Sequence, residues 1–137
     1  IPFAFRGELF SGTHNFANGG DSFKIALYTG NPYSTSSTQY LTSQEVSASN
    51  TGYTTAGKVL ASQAVASGTA VASVDFADSV INSATFTAAF AAIYNDTNGD
   101  KLCVVLDFGG NKTATNGTFT ISFPDPSTPA NAIISMA

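Results

Sequence analysis

The chain carries a single histidine, His14, and a single cysteine, Cys103. A zinc centre needs a cluster of such ligands, and neither residue has a second one near it in sequence. A thiol nucleophile needs a base and surroundings that lower its pKa. No base flanks Cys103, so His14 and Cys103 are both expected to be structural. The carboxylates are Glu8, Asp21, Glu45, Asp75, Asp78, Asp96, Asp100, Asp107 and Asp125. Glycoside hydrolysis uses two carboxylates facing one cleft. Asp75 and Asp78 are too close along the chain to flank a sugar easily, and Asp107 has no evident partner. A G-x-S-x-G elbow is missing. The Gly-Gly and Asn-Gly pairs are not followed by a helical pattern, which removes a phosphate cradle. The expectation is a protein that is not an enzyme and carries no cofactor.

One stretch comes closer to a ligand site. Asp96, Asn98 and Asp100 stand at positions one, three and five of a calcium-loop pattern, and Asp107 falls at position twelve. Position six is Lys101, where the EF-hand pattern requires glycine. The same residues read more simply as a hairpin turn whose Asn and Asp side chains bond the backbone. Asn98-Gly99 is a strong hairpin signal, because both residues tolerate positive φ.

The strands flanking that turn organise the chain. From Phe86 to Phe108 the sequence alternates on both sides of Asn95–Asp100. Phe86, Phe90 and Tyr94 share one parity, as do Leu102, Val104, Leu106 and Phe108, and a strand places one parity on one face. Cys103 should therefore point away from Leu102 and Val104. Phe23–Thr29 reads as a strand with Phe23, Ile25 and Leu27 on one side and Lys24, Ala26 and Tyr28 on the other. Tyr53–Leu60 reads as a strand with a glycine bulge. Val71–Phe76, Thr118–Phe123 and Ala132–Met136 read as further strands. Ala77–Ala84 and Gly109–Gly117 read as connections. Pro124, Pro126 and Pro129 break the ladder before the last strand.

Ile1–Phe16 is the one plausible helix or arm, with Phe5 and Leu9 at i and i+4 and Gly12 as a stop. Gly30–Gly52 is a long Ser/Thr-rich loop in which Tyr33, Tyr40, Leu41 and Val46 suggest contact points. The expected fold is all-β: one domain over 1–137, an antiparallel β-sandwich or flattened barrel of about seven or eight strands.

Composition bounds the partners. Charged residues make up 10% of the chain and the formal net charge is −4. Arg6, Lys24, Lys58, Lys101 and Lys112 form no basic run, so no nucleic-acid footprint exists. No apolar run approaches the length of a membrane-spanning helix. A lone cysteine forbids an internal disulfide. The chain opens on Ile1 without a signal-peptide pattern, which leaves an upstream segment open. Sparse charge has two readings: a monomer with a surface of Ser, Thr, Asn and Gly, or a subunit whose flanks are covered by neighbours, since charge is depleted at interface cores.

Several segments together carry a resemblance: FRGELFSGTHNF, DSFKIALYT, EVSASNTGYTTAGKVL, VDFAD, ATFTAAFAAIYNDTNGDKLCVVLDFG and NGTFTISFPDPS. Over nearly the whole chain this resembles a group of small virion structural proteins of tailed bacteriophages. Its most specific parts are FKIALYT and AxxIYN…VLDFG. GYTTAGKVL, with the single Gly57, departs from the more regular Gly-rich link of such proteins. The resemblance implies a head decoration (cement) protein in the virion, assembled in the host bacterial cytoplasm. Its partner would be the major capsid protein, and it would be a homo-oligomer, with a trimer favoured. Phe3, Phe5, Phe10 and Phe16 would contribute to a subunit or capsid contact, together with Tyr33 and Tyr40. The alternative is a tail, baseplate or fibre-base subunit. A third reading, from the residues themselves, is a carbohydrate-binding module in which exposed Tyr33, Tyr40 and Tyr53 form a stacking platform. It lacks tryptophan, the commonest anchor.

Overall fold

A computed structural model describes residues 1–67, 70–124 and 132–136. A short helix, α1 (Phe3–Phe10), precedes strands β1 (Phe23–Tyr28), β2 (Lys58–Val59), β3 (Ala64–Ser67), β4 (Ala72–Asp75), β5 (Ser79–Asn95), β6 (Lys101–Ile121) and β7 (Ile134–Met136). The strands form two antiparallel sheets, ordered β2-β1-β5-β6 and β3-β4-β7. The sheets share one core and do not close into a barrel, so of the two expected architectures the sandwich-like one is observed. Asp125, Pro126 and Pro129 lie outside the described residues.

The helix begins after Pro2, whose extended backbone (φ −62°, ψ 151°) suits an N-cap and which has no amide to leave orphaned. The Phe3 amide is satisfied from outside, by the Thr35 carbonyl at 3.0 Å. Ser11 closes the other end by donating its hydroxyl to the Gly7 and Glu8 carbonyls. Gly12, at φ +75°, then turns the chain away, as expected.

The central hairpin is longer than its sequence signal. Ser79–Asn95 and Lys101–Ile121 pair along almost their full lengths, absorbing most of the expected connection Ala77–Ala84, all of Gly109–Gly117 and most of the separate strand Thr118–Phe123. Irregular register explains why that length was hidden. Pairing passes from Ala88↔Lys112 to Phe90↔Asp107, so Phe108–Asn111 bulge out opposite Ala89, with Gly109 and Gly110 at positive φ. Nearer the turn it passes from Ile93↔Val104 to Tyr94↔Leu102, leaving Cys103 as the extra residue. Positive φ at the turn itself falls on Gly99 and Asp100, one residue later than the Asn98-Gly99 signal implied.

These bulges correct the expected parities. Phe86, Ala88, Ala91 and Ile93 join the core between the sheets, whereas Phe90, Ala92 and Tyr94 face the other side of the larger sheet. On β6, Leu102 belongs to that second side, while both Cys103 and Val104 point into the main core. Cys103 is thus opposite to Leu102 as expected, yet it is fully buried rather than outward. β1 follows its pattern: Phe23, Ile25 and Leu27 enter the main core, Ala26 and Tyr28 the second.

The second core exists because the 30–46 loop folds over that face. Tyr33 and Tyr40 pack there against Tyr28, Tyr94 and Leu102. The loop's return runs beside β1, with the Val46 amide donating to the Leu27 carbonyl at 2.9 Å. Tyr53–Leu60, expected as a strand, pairs only at Lys58–Val59. Gly57 explains the approach: at φ +89° it lies so close to β1 that a Cβ would collide with the Ile25 carbonyl. Gly57→Ala is expected to destabilise the fold by about 1–3 kcal/mol from the strained backbone alone. A urea unfolding midpoint unchanged from wild type would contradict this close packing.

Candidate functional site

Two carboxylates organise the buried polar chemistry. The first is Asp21, beneath the hairpin turn. Its Oδ2 accepts from the Asn15 amide (2.9 Å), Asn95 Nδ2 (2.9 Å) and Asn98 Nδ2 (3.1 Å). Buried Asn95 is the hub of the turn. Its Oδ1 accepts the Thr97 and Asn98 amides, at 3.0 and 3.1 Å. With that oxygen occupied, the amide nitrogen faces His14 Nδ1 at 3.0 Å, so Nδ1 accepts. His14 Nε2 then donates to Glu8 Oε2 at 2.6 Å. Asn98 Nδ2 also reaches the Thr13 carbonyl, at 2.7 Å. The turn, the His14 segment and α1 are joined through side chains far apart in sequence.

The same packing brings Cys103 Sγ to 3.7 Å from His14 Nδ1. Glu8, His14 and Cys103 therefore stand in the carboxylate–imidazole–thiol order that nucleophilic catalysis uses. Sequence spacing gave no signal for this, since His14 and Cys103 are remote in the chain. The surroundings oppose activation. Sγ is sealed from solvent, and burial, helped by the negative charges of Glu8 and Asp21, pushes the thiol pKa well up. A reactive cysteine needs the reverse.

In the calcium-like stretch, Asn98 is occupied as a donor, Asp96 faces Lys24 (3.5 Å), and the Asp107 carboxylate accepts from the Gly109 amide. Among the described residues no group of three or more His, Cys, Asp or Glu side chains is placed to hold a metal.

The second carboxylate is Glu45, in the loop over the second core. Oε1 accepts from the Tyr53 hydroxyl (2.6 Å) and the Ala56 amide (2.9 Å), and Oε2 from the Tyr40 hydroxyl (2.5 Å). Tyr53 also accepts from the Leu27 amide, and Tyr94 donates to the Ala56 carbonyl. Tyr28 donates to the Leu41 carbonyl, and its oxygen lies 2.5 Å from that of Tyr33. The expected stacking platform is therefore not present: Tyr33 and Tyr53 are buried, and Tyr40 is half-buried against Tyr94. Their polar tips serve the loop's own anchoring, which hydropathy could not show.

The aromatic N-terminus divides. Phe5 and Phe16 are buried in the chain's own core, where Phe16 stacks on Phe23 at 4.3 Å. Phe3 and Phe10 remain exposed, at 61% and 86%. The helix is thus anchored by one face and presents aromatic rings on the other.

Two outcomes follow from the polar groups. Asn95→Ala strands His14, Asp21 and two turn amides, and a loss of about 3 kcal/mol is expected from unsatisfied buried groups. Equilibrium unfolding measures it, and a change below about 0.5 kcal/mol, the level of an ordinary surface substitution, would contradict the network. All five tyrosines have raised pKa values, burial being the largest cause for each. In the unfolded chain they ionise near pH 10. Their contribution to stability is therefore complete below about pH 10 and is lost as pH rises further. Tyrosinate absorbance should appear together with loss of tertiary circular dichroism in one steep alkaline transition. Gradual tyrosine ionisation near pH 10 in a still-folded chain would overturn this.

Comparison with models of protein families, with curated proteins and with solved structures finds no match to this chain.

Proposed function

We propose that the chain is a non-enzymatic structural subunit of a tailed-bacteriophage particle, a head decoration protein that binds the lattice of the major capsid protein. The observation that carries this reading is the outward face of α1, where Phe3 and Phe10 stand in solvent on a helix fixed from behind by Phe5. The resemblance to small phage virion proteins over nearly the whole chain supports the choice of particle. A surface with few charges suits a role in which flanks are covered by neighbours. Fully burying one Phe side chain is worth roughly 1.5–3 kcal/mol before association costs. Repeated over a symmetric lattice, such a contact clamps neighbouring capsomers.

A map of the intact particle tests the reading. Density for this chain on the head is expected, and particles lacking it should lose their genome at a lower temperature than wild type. Density on the tail, baseplate or fibre base, with head stability unchanged, would replace the decoration reading with the tail one.

A further inference from the structure

Three Asn-Gly pairs stand in the chain: Asn18-Gly19, Asn98-Gly99 and Asn116-Gly117. Asparagine is thermolabile, and most so before glycine, where no Cβ shields the following amide. That amide nitrogen attacks the asparagine Cγ and closes a succinimide ring. The side-chain nitrogen leaves as ammonia, taking up the proton that the attacking amide loses. Water then opens the ring at either carbonyl, giving aspartate or isoaspartate. In isoaspartate the main chain runs through Cβ and is one carbon longer. The reaction needs a side chain free to swing, an amide free to attack and access for water.

The fold treats the three pairs differently. At Asn98 the leaving nitrogen donates to the Thr13 carbonyl (2.7 Å) and to Asp21 Oδ2 (3.1 Å), and the residue is half-buried. Swinging its Cγ towards the Gly99 amide breaks both bonds. At Asn116 the backbone amide donates to Thr85 Oγ1 (3.0 Å), the Thr85 hydroxyl donates back to Asn116 Oδ1 (3.3 Å), and Gly117 is paired with Ala84. Asn18 is exposed, and its side chain makes no hydrogen bond among the described residues. The Gly20 amide donates to the Ala17 carbonyl at 2.8 Å, so Asn18 and Gly19 form the tip of a tight turn, with Gly19 at φ +80°. The Gly19 amide donates to no backbone carbonyl among the described residues, and a Cβ at Gly19 would meet nothing.

We propose that Asn18 is a modification site of the folded protein: it deamidates while the fold protects Asn98 and Asn116, and its isoaspartate form loosens the Asp21 hub. The second part follows from how the turn is closed. The Asp21 amide donates to the Asn15 carbonyl (2.9 Å), and the Asn15 amide donates to Asp21 Oδ2 (2.9 Å). Gly20 lies so close that a Cβ would come within 2.6 Å of the Asn15 carbonyl oxygen. That closure leaves no room for an extra main-chain atom. Asp21 also accepts from Asn95 and Asn98, so its displacement reaches the hairpin turn and, through Asn95 and His14, the helix α1. Aspartate at position 18 adds a charge without lengthening the chain and leaves the closure intact.

Incubating the full chain in mildly alkaline buffer, below the tyrosine transition, and mapping its peptides with an isoaspartate-specific methyl-transfer assay tests the proposal. Reaction at Asn98 must first break two hydrogen bonds, one of them to a carboxylate, so Asn18 should react about tenfold faster or more. In concentrated urea the three sites should react at similar rates, since the protection belongs to the fold. Asn98 or Asn116 keeping pace with Asn18 in the folded chain would overturn the proposal, as would an unreacted Asn18 or the same ranking in urea. The purified isoaspartate form should melt about 3 °C or more below wild type, and Asn18→Asp should melt with wild type. An isoaspartate form with the wild-type Tm would overturn the coupling to Asp21, as would an Asn18→Asp variant that melts as low as the isoaspartate form.

Discussion

The register of β5 against β6 is the constraint on which the rest of the molecule depends. Side chains alternate along a strand, so an extra residue in one partner reverses the faces beyond it. Where the register breaks at Phe108–Asn111, β5 changes face as well, and Phe86 and Phe90 lie on opposite sides of the larger sheet. The extra residue Cys103 lets both it and Val104 enter the main core while Leu102 turns away. The larger sheet therefore has two apolar faces near the turn. One is covered by β3-β4-β7 and the N-terminal segment, and the other by the 30–46 loop.

Covering both faces brings polar groups inside; two carboxylates gather many of them, while the buried Ser73 and Ser79 hydroxyls find no partner among the described residues. Glu45 collects Tyr40, Tyr53 and the Ala56 amide, anchoring the loop. Asp21 collects Asn15, Asn95 and Asn98, and Asn95 passes the connection to His14 and Glu8. A buried donor or acceptor without a partner costs about 1–3 kcal/mol, so a filled network defines one geometry. The consequence reaches the surface. Glu8 belongs to α1, so the network and the buried Phe5 ring fix the helix whose other face carries Phe3 and Phe10.

The line of Glu8, His14 and Cys103 shows why an arrangement of residue types is not yet chemistry. Its order fits nucleophilic catalysis, but the thiol is sealed and destabilised as an anion. The same groups account fully for one another as a staple between α1 and the hairpin. Among the described residues, what this internal network leaves unused lies at the periphery: the Phe3 and Phe10 rings and the Arg6 guanidinium.

The sequence by itself determined the class of fold, because period-two alternation in FKIALYT and TFTISF and the turn chemistry at Asn95–Asp100 are local properties. It likewise determined the helix and its stop at Gly12, and the two faces of β1. Only the tertiary structure decided the faces of β5 and β6, since a bulge is defined against a partner strand and leaves the single chain's pattern looking intact. It also decided which aromatics are exposed: hydropathy ranks Phe5 and Phe10 alike, and packing buries one and leaves the other out. The meetings of His14 with Cys103 and of Asn98 with Asp21 are long-range for the same reason. Hydrogen-bond partners are chosen by the fold's closure, and no spacing along the chain records them.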